Sequence, residues 1–340
     1  MKNNLKHICA LVLLAGGAAI GRAEPQNQQL GAPLDDYNVV WTTPSENAHG
    51  SMPMGNGDVG INAWVEANGD LIFYVSKTDA WDENARLCKI GRVRVKFDPP
   101  LAPKDGFRQE LKLRDGVIEI RGKLSVISNQ LSVVSNQSPV AGNQAAGGTN
   151  PTSATDHRSL NTDHFSLRLW VDTAQPVVRV EAESAVPVSC RAEVELWRLR
   201  ERPLDPAAEY GYGYGDGKNP LAQSYKLTVL PDVVAASAQP QVVWYHRNTR
   251  SLYPVCLEVQ HLEALKGKFT DPLLNHTFGA SLRGVDMVPD GAKAVKSNKP
   301  TKRHQLSVCV LAERAETPDA WLKDLERVEK AALQVAPCPR

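Results

Sequence analysis

The feature that most constrains this chain is a period of two. From Arg92 to Phe97, Val93, Val95 and Phe97 alternate with Arg92, Arg94 and Lys96. Neighbouring side chains on an extended strand point to opposite faces, so this segment reads as a strand with one apolar and one wet face. The period recurs along the chain. Ile61, Ala63 and Val65 alternate within residues 58–66, and a second run follows at 71–76. Asn68-Gly69 between them has the composition of a tight two-residue hairpin turn, because both residues tolerate positive φ. Residues 107–113 set Leu111 and Leu113 against Arg108, Glu110 and Lys112, and Asp115-Gly116 turns the chain into 117–121. Further strands are expected at 38–41, 164–172, 177–183, 188–198, 223–230, 241–246, 254–260, 278–283 and 305–312. Many short alternating segments, with 23 prolines and 24 glycines to punctuate them, build an antiparallel all-β protein. The one expected helix is C-terminal. Thr317 is its N-cap, Pro318 its first residue, and Trp321, Leu322, Leu325 and Val328 form an apolar stripe that must pack on something.

The 340 residues carry a net charge of +1. That balance argues against a nucleic-acid groove and against a membrane-surface patch, both of which need a basic excess. The N-terminus has the layout of a signal peptide over 1–23: Lys2 and Lys6, an apolar run from Ile8 to Ile20, then Gly21-Arg22-Ala23. A periplasmic or secreted protein is expected, free of the membrane after cleavage, with a polar leader at 24–36. Cys88, Cys190, Cys256, Cys309 and Cys338 follow with no C-x-x-C pair and no histidine at ligand spacing. Neither a metal site nor a disulfide framework is expected, and mostly free thiols are. No phosphate loop, dinucleotide fingerprint, nucleophile elbow or H-E-x-x-H occurs, so no cofactor is implied.

The tandem heptads LSVISNQ and LSVVSNQ begin at Leu124, and the block 124–158 that they open is poor in core-forming side chains. It reads as a disordered insertion between two strands, of a kind that loop-closure entropy tolerates. The Gly-Tyr segment 209–218 reads as an aromatic lid or a flexible excursion.

Chemistry-bearing residues concentrate between Ser51 and Asp98. A Gly55-Asn56-Gly57-Asp58 turn opens this stretch, and an acidic, aromatic loop from Thr78 to Asn84 follows. Asp79, Asp82 and Glu83 are close enough in sequence to form a carboxylate pair, which glycoside hydrolysis needs at roughly 5–10 Å. Solvated turn-formers are the plainer alternative. Trp81 among them matches a sugar contact, its ring stacking on a pyranose while acids and amides take the hydroxyls. Two more clusters stand out: Trp244-Tyr245-His246-Arg247-Asn248, where alternation sets Tyr245 and Arg247 against Trp244 and His246, and Asn275-His276-Thr277-Phe278-Gly279.

The run from Met52 to Trp81 resembles the opening of the N-terminal β-sandwich in family 95 glycoside hydrolases, the α-L-fucosidase type. It is more similar still to an exported family catalogued as domain of unknown function 5703. The motifs are Met52 to Asp58, Lys77 to Trp81, Gly91 to Val95, Trp244 to Asn248 and Thr277 to Gly279, across residues 38 to 330 apart from the insertion. The resemblance implies a large two-sheet antiparallel super-sandwich over 37–316, a linker helix at 317–333 towards an absent (α/α)6 barrel, and a tail at 334–340. In the fucosidase type the catalytic carboxylates sit in that barrel. The expectation is therefore a glycoside-hydrolase-like sandwich, truncated before its catalytic domain, with no catalytic residue of its own. Its partners would be a glycan and a helical catalytic domain. Asn56, Asp58, Asp79, Trp81, Asp82, Trp244, His246, Arg247 and His276 are the expected substrate-facing residues. Two departures speak against activity of this copy: the insertion, and His276 where the family pattern has Arg. The alternatives are a stand-alone carbohydrate-binding module, or an independent hydrolase that uses Asp79 or Asp82 with His246 or Glu83.

Overall fold

The computed structural model describes residues 33–104, 106–125, 164–205, 209 and 227–334. The expected signal peptide and most of the polar leader, nearly all of the inserted block, and the Gly-Tyr segment save Glu209 lie outside the described residues.

The architecture is an antiparallel β-sandwich, as expected. The larger sheet runs from Val39–Trp41 at one edge through Arg108–Lys112, Val117–Leu124, His164–Val171, Val177–Glu195, Thr301–Arg314, His276–Gly284 and Gln241–Arg247 to Val233–Ala235. The smaller sheet joins Met52–Gly55, Val59–Val65, Leu71–Trp81, Leu87–Asp98, the second half of Val177–Glu195, Ala294–Ser297 and Met287–Pro289. The inward sides of the alternating strands meet in one core. Ile61, Ala63, Val65, Phe73, Val75, Val93 and Val95 from the smaller sheet face Ile118, Leu167, Leu169, Val178, Val180, Phe278 and Val308 from the larger. Arg92, Arg94 and Lys96 stay on the outer side.

Four local expectations change. The two strands expected at 177–183 and 188–198 are one, Val177–Glu195. Its first part pairs with Thr301–Arg314 in the larger sheet and its second, Ser189 to Glu195, with Leu87–Asp98 in the smaller. The register shifts between Glu183 and Val188, where Pro187 has no N–H for a ladder, and the strand changes sheets there. The strand expected at 254–260 is instead the helix Tyr253–Val259. Pro254 presets helical φ in its first turn, Ser251 Oγ accepts the Tyr253 N–H at 2.9 Å, and Leu252 and Leu257 bury one side. The expected loop 78–84 is strand as far as Trp81, which pairs with Leu87, so the turn proper is shorter. The hairpin at Asn68-Gly69 is a three-residue turn with a bulge: Gly69 N donates to Glu66 O at 2.9 Å and only Gly69 takes positive φ (+88°). Asn68 instead accepts the Asp70 N–H on its side chain at 3.0 Å. A Cβ at Gly69 would lie 2.1 Å from Leu101 O, so this corner also excludes other residues sterically. Of the strand expected at 223–230, Thr228–Val229 is described, paired with Arg202–Pro203.

The C-terminal helix Pro318–Gln334 forms a third layer on the outside of the larger sheet. Thr317 Oγ1 accepts the Ala320 N–H at 3.1 Å, an N-cap bond. Trp321, Leu325 and Ala332 bury against Val177, Val243, Tyr245 and Cys309, with the Trp321 and Tyr245 rings 5.4 Å apart. Arg179 adds a bond to the Ala332 carbonyl at 2.7 Å, in the last turn of the helix.

Candidate functional site

The Gly55-to-Asp58 corner is built around Asn56. Its Oδ1 accepts the N–H groups of Asp58 and Val59 at 3.0 and 2.8 Å, and its Nδ2 donates to Asp172 O across the sandwich at 2.8 Å. One end of Asn56 thus closes the corner on itself and the other ties it to the other sheet. Gly57 takes the left-handed conformation the corner needs, at φ +91°. Asp58 is left facing outward, beside Lys77 and Thr78.

Lys77 sits on the strand Leu71–Trp81 two residues after the core residue Val75, and its stem is buried. Its ammonium meets Asp58 at 2.7 Å and Asp79 at 2.9 Å. Burial alone would push the lysine down, but the hydrogen bonds and charges of the two aspartates raise it above its ordinary value. One buried cation thus holds two half-exposed carboxylates in place. A shallow depression of about 290 Å³ lies beside this trio, lined among others by Gly55, Gly57, Asp58, Lys77, Thr78 and Leu87.

The next residues of that strand are held by their backbone. His276 Nε2 donates to Asp79 O at 2.6 Å, and Asn248 Nδ2 donates to Trp81 O at 3.0 Å. A carbonyl only accepts, so the His276 proton is on Nε2. Burial lowers the His276 pKa, which favours this neutral form. The second and third sequence clusters therefore converge on the first. They grip the strand through its carbonyls, leaving the Asp79 carboxylate to Lys77 and the Trp81 ring facing outward. Trp81 is 40% exposed at the strand end.

The other carboxylates turn inward. Asp82 caps its own turn, taking the N–H groups of Asn84 and Arg86 at 3.0 and 2.9 Å and the Arg86 guanidinium at 2.6 Å. Glu83 accepts the Leu230 N–H at 2.6 Å and lies 2.8 Å from His246 Nε2. His246 Nδ1 is 3.1 Å from Asp232, which also takes Arg198 at 2.7 Å. The imidazole stacks on Phe278 with centroids 5.0 Å apart. The side chains of all four charged groups of this network are buried, so it has the composition of an acid–base site without the access of one. Trp244 is buried as well and donates to Ile90 O at 3.0 Å. Arg247 points the other way, as alternation requires. It bonds Thr277 Oγ1 and Ala315 O at 2.8 Å and Glu316 O at 3.0 Å, clamping the entry to the C-terminal helix.

Of the nine expected contact residues, the structure thus brings Asp58, Asp79 and Trp81 to one exposed rim. Asn56 and His276 support that rim from behind, and Asp82, Trp244, His246 and Arg247 lie in structural networks. Sequence reasoning did not single out Lys77 or Asn248. The signal for Lys77 was present, a lysine in step with the inward-facing Phe73 and Val75. Asn248 carried none beyond its cluster, because its partner is 167 residues away. A larger groove, about 440 Å³, crosses the outer face of the larger sheet and is lined by Lys112, Glu119, Arg168, Glu181, Glu183 and Arg303. Those charges pair with one another, as in Lys112–Glu119 and Arg303–Glu183, so the groove is a solvated sheet face. Among the described residues, no group of three or more His, Cys, Asp or Glu is placed to hold a metal ion. Within the same residues, no helix is long and apolar enough to cross a membrane. Cys88, Cys190, Cys256 and Cys309 form no disulfide, and burial pushes Cys190 and Cys309 up to about 12.

Comparison with known families finds a match to the N-terminal part of a domain of unknown function, DUF5703, over residues 40–154 and 153–337. The chain belongs to this family. The two matched spans of this DUF5703 chain meet within the inserted block. No curated protein matches it. Among solved structures, one that resembles it is described as a putative kojibiose phosphorylase from human microbiome, with 10% sequence identity and a TM-score of 0.40. The likeness covers 89% of the DUF5703 chain and 36% of the other, so the chain spans about a third of that protein's length.

Proposed function

We propose that this chain is an exported, carbohydrate-recognising β-sandwich of a glycoside-hydrolase-like protein, with its sugar contact centred on Trp81. The observation that carries this reading is the exposed Trp81 ring on a strand gripped from behind by His276 and Asn248, next to the Asp58–Lys77–Asp79 trio. A rigidly mounted indole with acids beside it supplies the two things a pyranose needs, an apolar face for its C–H groups and acceptors for its hydroxyls. The motif resemblance to family 95 sandwiches and the charged-then-apolar N-terminus support the same reading. Any hydrolysis then belongs to a helical catalytic domain that the sandwich serves, and the rim lines one side of its sugar site.

The test is a glycan array probed with the purified chain and with Trp81→Ala. Binding by the wild type that is lost in the variant, with an unchanged melting temperature, is the expected result. Equal binding by both proteins sinks the assignment of Trp81.

A further inference from the structure

Trp81 does not stand alone on its hairpin. Trp81 pairs with Leu87, Ser76 with Lys89, and Tyr74 with Arg92. Leu87 and Lys89 lie two apart on one strand and share a face, and the register shift after Val75 keeps Lys89 and Arg92 on that face. The Lys89 ammonium confirms this by sitting 5.0 Å from the Tyr74 ring centroid. The outer face of the hairpin thus carries Trp81 at its tip and Tyr74 further down. Against the edge of Tyr74 stands Trp197, at 6.0 Å and 88°. Tyr74 itself leans on the buried Trp64 at 5.3 Å, and the Arg198 guanidinium lies 5.8 Å from the Trp197 ring. Trp197 is therefore a mounted ring, yet it is 46% exposed.

We propose that the ligand is an oligosaccharide lying along this outer face, with Trp81 at one stacking subsite and Trp197 at a second. Five residues separate Leu87 from Arg92, so Trp81 and the Tyr74 that Trp197 packs against are at most roughly 16 Å apart along the strand. That is the span of several linked sugars rather than one. The surface between them is polar and small-featured: Ser76, Thr78 and the exposed Lys89, with the Arg92–Glu195 pair beside Tyr74. Hydroxyl-rich chains find donors and acceptors there, whereas a protein partner would need a continuous apolar centre. The inference rests on the carbohydrate reading of Trp81 and adds the size and path of the ligand.

An array carrying each glycan class from single sugars to hexasaccharides tests it, probed with the full chain, Trp81→Ala and Trp197→Ala. The wild type is expected to bind longer members more tightly. Trp197→Ala should weaken the longest about ten-fold, the worth of one stacked ring, and leave the shortest unchanged. Trp197→Phe should recover part of the loss, and unchanged melting temperatures exclude misfolding. Affinity that does not depend on length, or an unaffected Trp197→Ala, overturns the extended ligand while the Trp81 contact stands. A wild type that binds no glycan overturns both readings.

Discussion

His246 has a carboxylate at each ring nitrogen, Glu83 at 2.8 Å and Asp232 at 3.1 Å. A neutral imidazole donates from one nitrogen only, so donation to both carboxylates at once takes the imidazolium. Burial works against that charge. The hydrogen bonds to Asp232 and Glu83 and the Glu83 charge outweigh it, and His246 ends above its ordinary value of 6.5. For Glu83, burial pushes up, and the His246 bond and charge bring it below 4.5. The signs then fix a window. The raised histidine contributes stability that is complete below pH 6.5 and is lost as pH rises through its folded value. The lowered glutamate contributes above pH 4.5 and loses that contribution as pH falls through its folded value. Denaturant midpoints of the wild type should therefore hold between these limits and fall on the alkaline side. Glu83→Gln should flatten the alkaline fall, and the broken pair should cost about 3–5 kcal/mol at pH 6. A variant with the same alkaline slope as the wild type would show that His246 is neutral.

At the scale of elements, the C-terminal helix is the clearest case of a pattern that fixes its own packing. Trp321 and Leu325 recur at helical spacing and bury on Val177, Val243 and Tyr245. Trp321→Ala should cost about 3–5 kcal/mol in chemical denaturation, by lost burial and the cavity left behind. Lys323→Ala on the exposed side should stay within about 0.5 kcal/mol. A small effect at Trp321 would mean that the helix is not docked in solution. The same local periods made most strands and both core faces legible in the sequence. What was not legible depended on distant partners. A period of two says that 177–183 and 188–198 are extended. It does not say that they are one strand in two sheets, because each half pairs with a different part of the chain. In the acidic loop, Asp79, Asp82 and Glu83 look alike in sequence. Only the ladder as far as Trp81 and the turn after it send the first outward and the other two inward. Glu83 meets a histidine 163 residues away, which no local pattern announces. The strand misread at 254–260 is the converse error. Its apolar residues fit either period, and Pro254 as a helix starter decided it.

At the scale of the whole molecule, the sandwich separates its rim from its insertion. Val117–Leu124 and His164–Val171 pair antiparallel, with Lys123 opposite His164, so the chain leaves the sheet at Leu124 and re-enters beside it. The inserted block joins two adjacent strand ends, as a hairpin loop does. At the other end of the second strand, Asp172 accepts from Asn56 and ties down the rim corner. From His164 to Asp172 is eight residues, or roughly 26 Å along the strand. The two ends bear on the fold separately. Replacing residues 126–162 by a five-residue turn that contains Gly should keep the Lys123–His164 register and the rim intact. Shortening a connection of about forty residues to a few removes about three doublings of loop length, which stabilises the fold by about 2 kcal/mol. The shortened protein should show a higher denaturant midpoint, an unchanged far-ultraviolet spectrum and the same glycan profile as the full chain. A lower midpoint would mean that the block packs on the sandwich and contributes to its stability. A changed glycan profile with stability preserved would instead place the block within reach of the rim, against the separation along the strand.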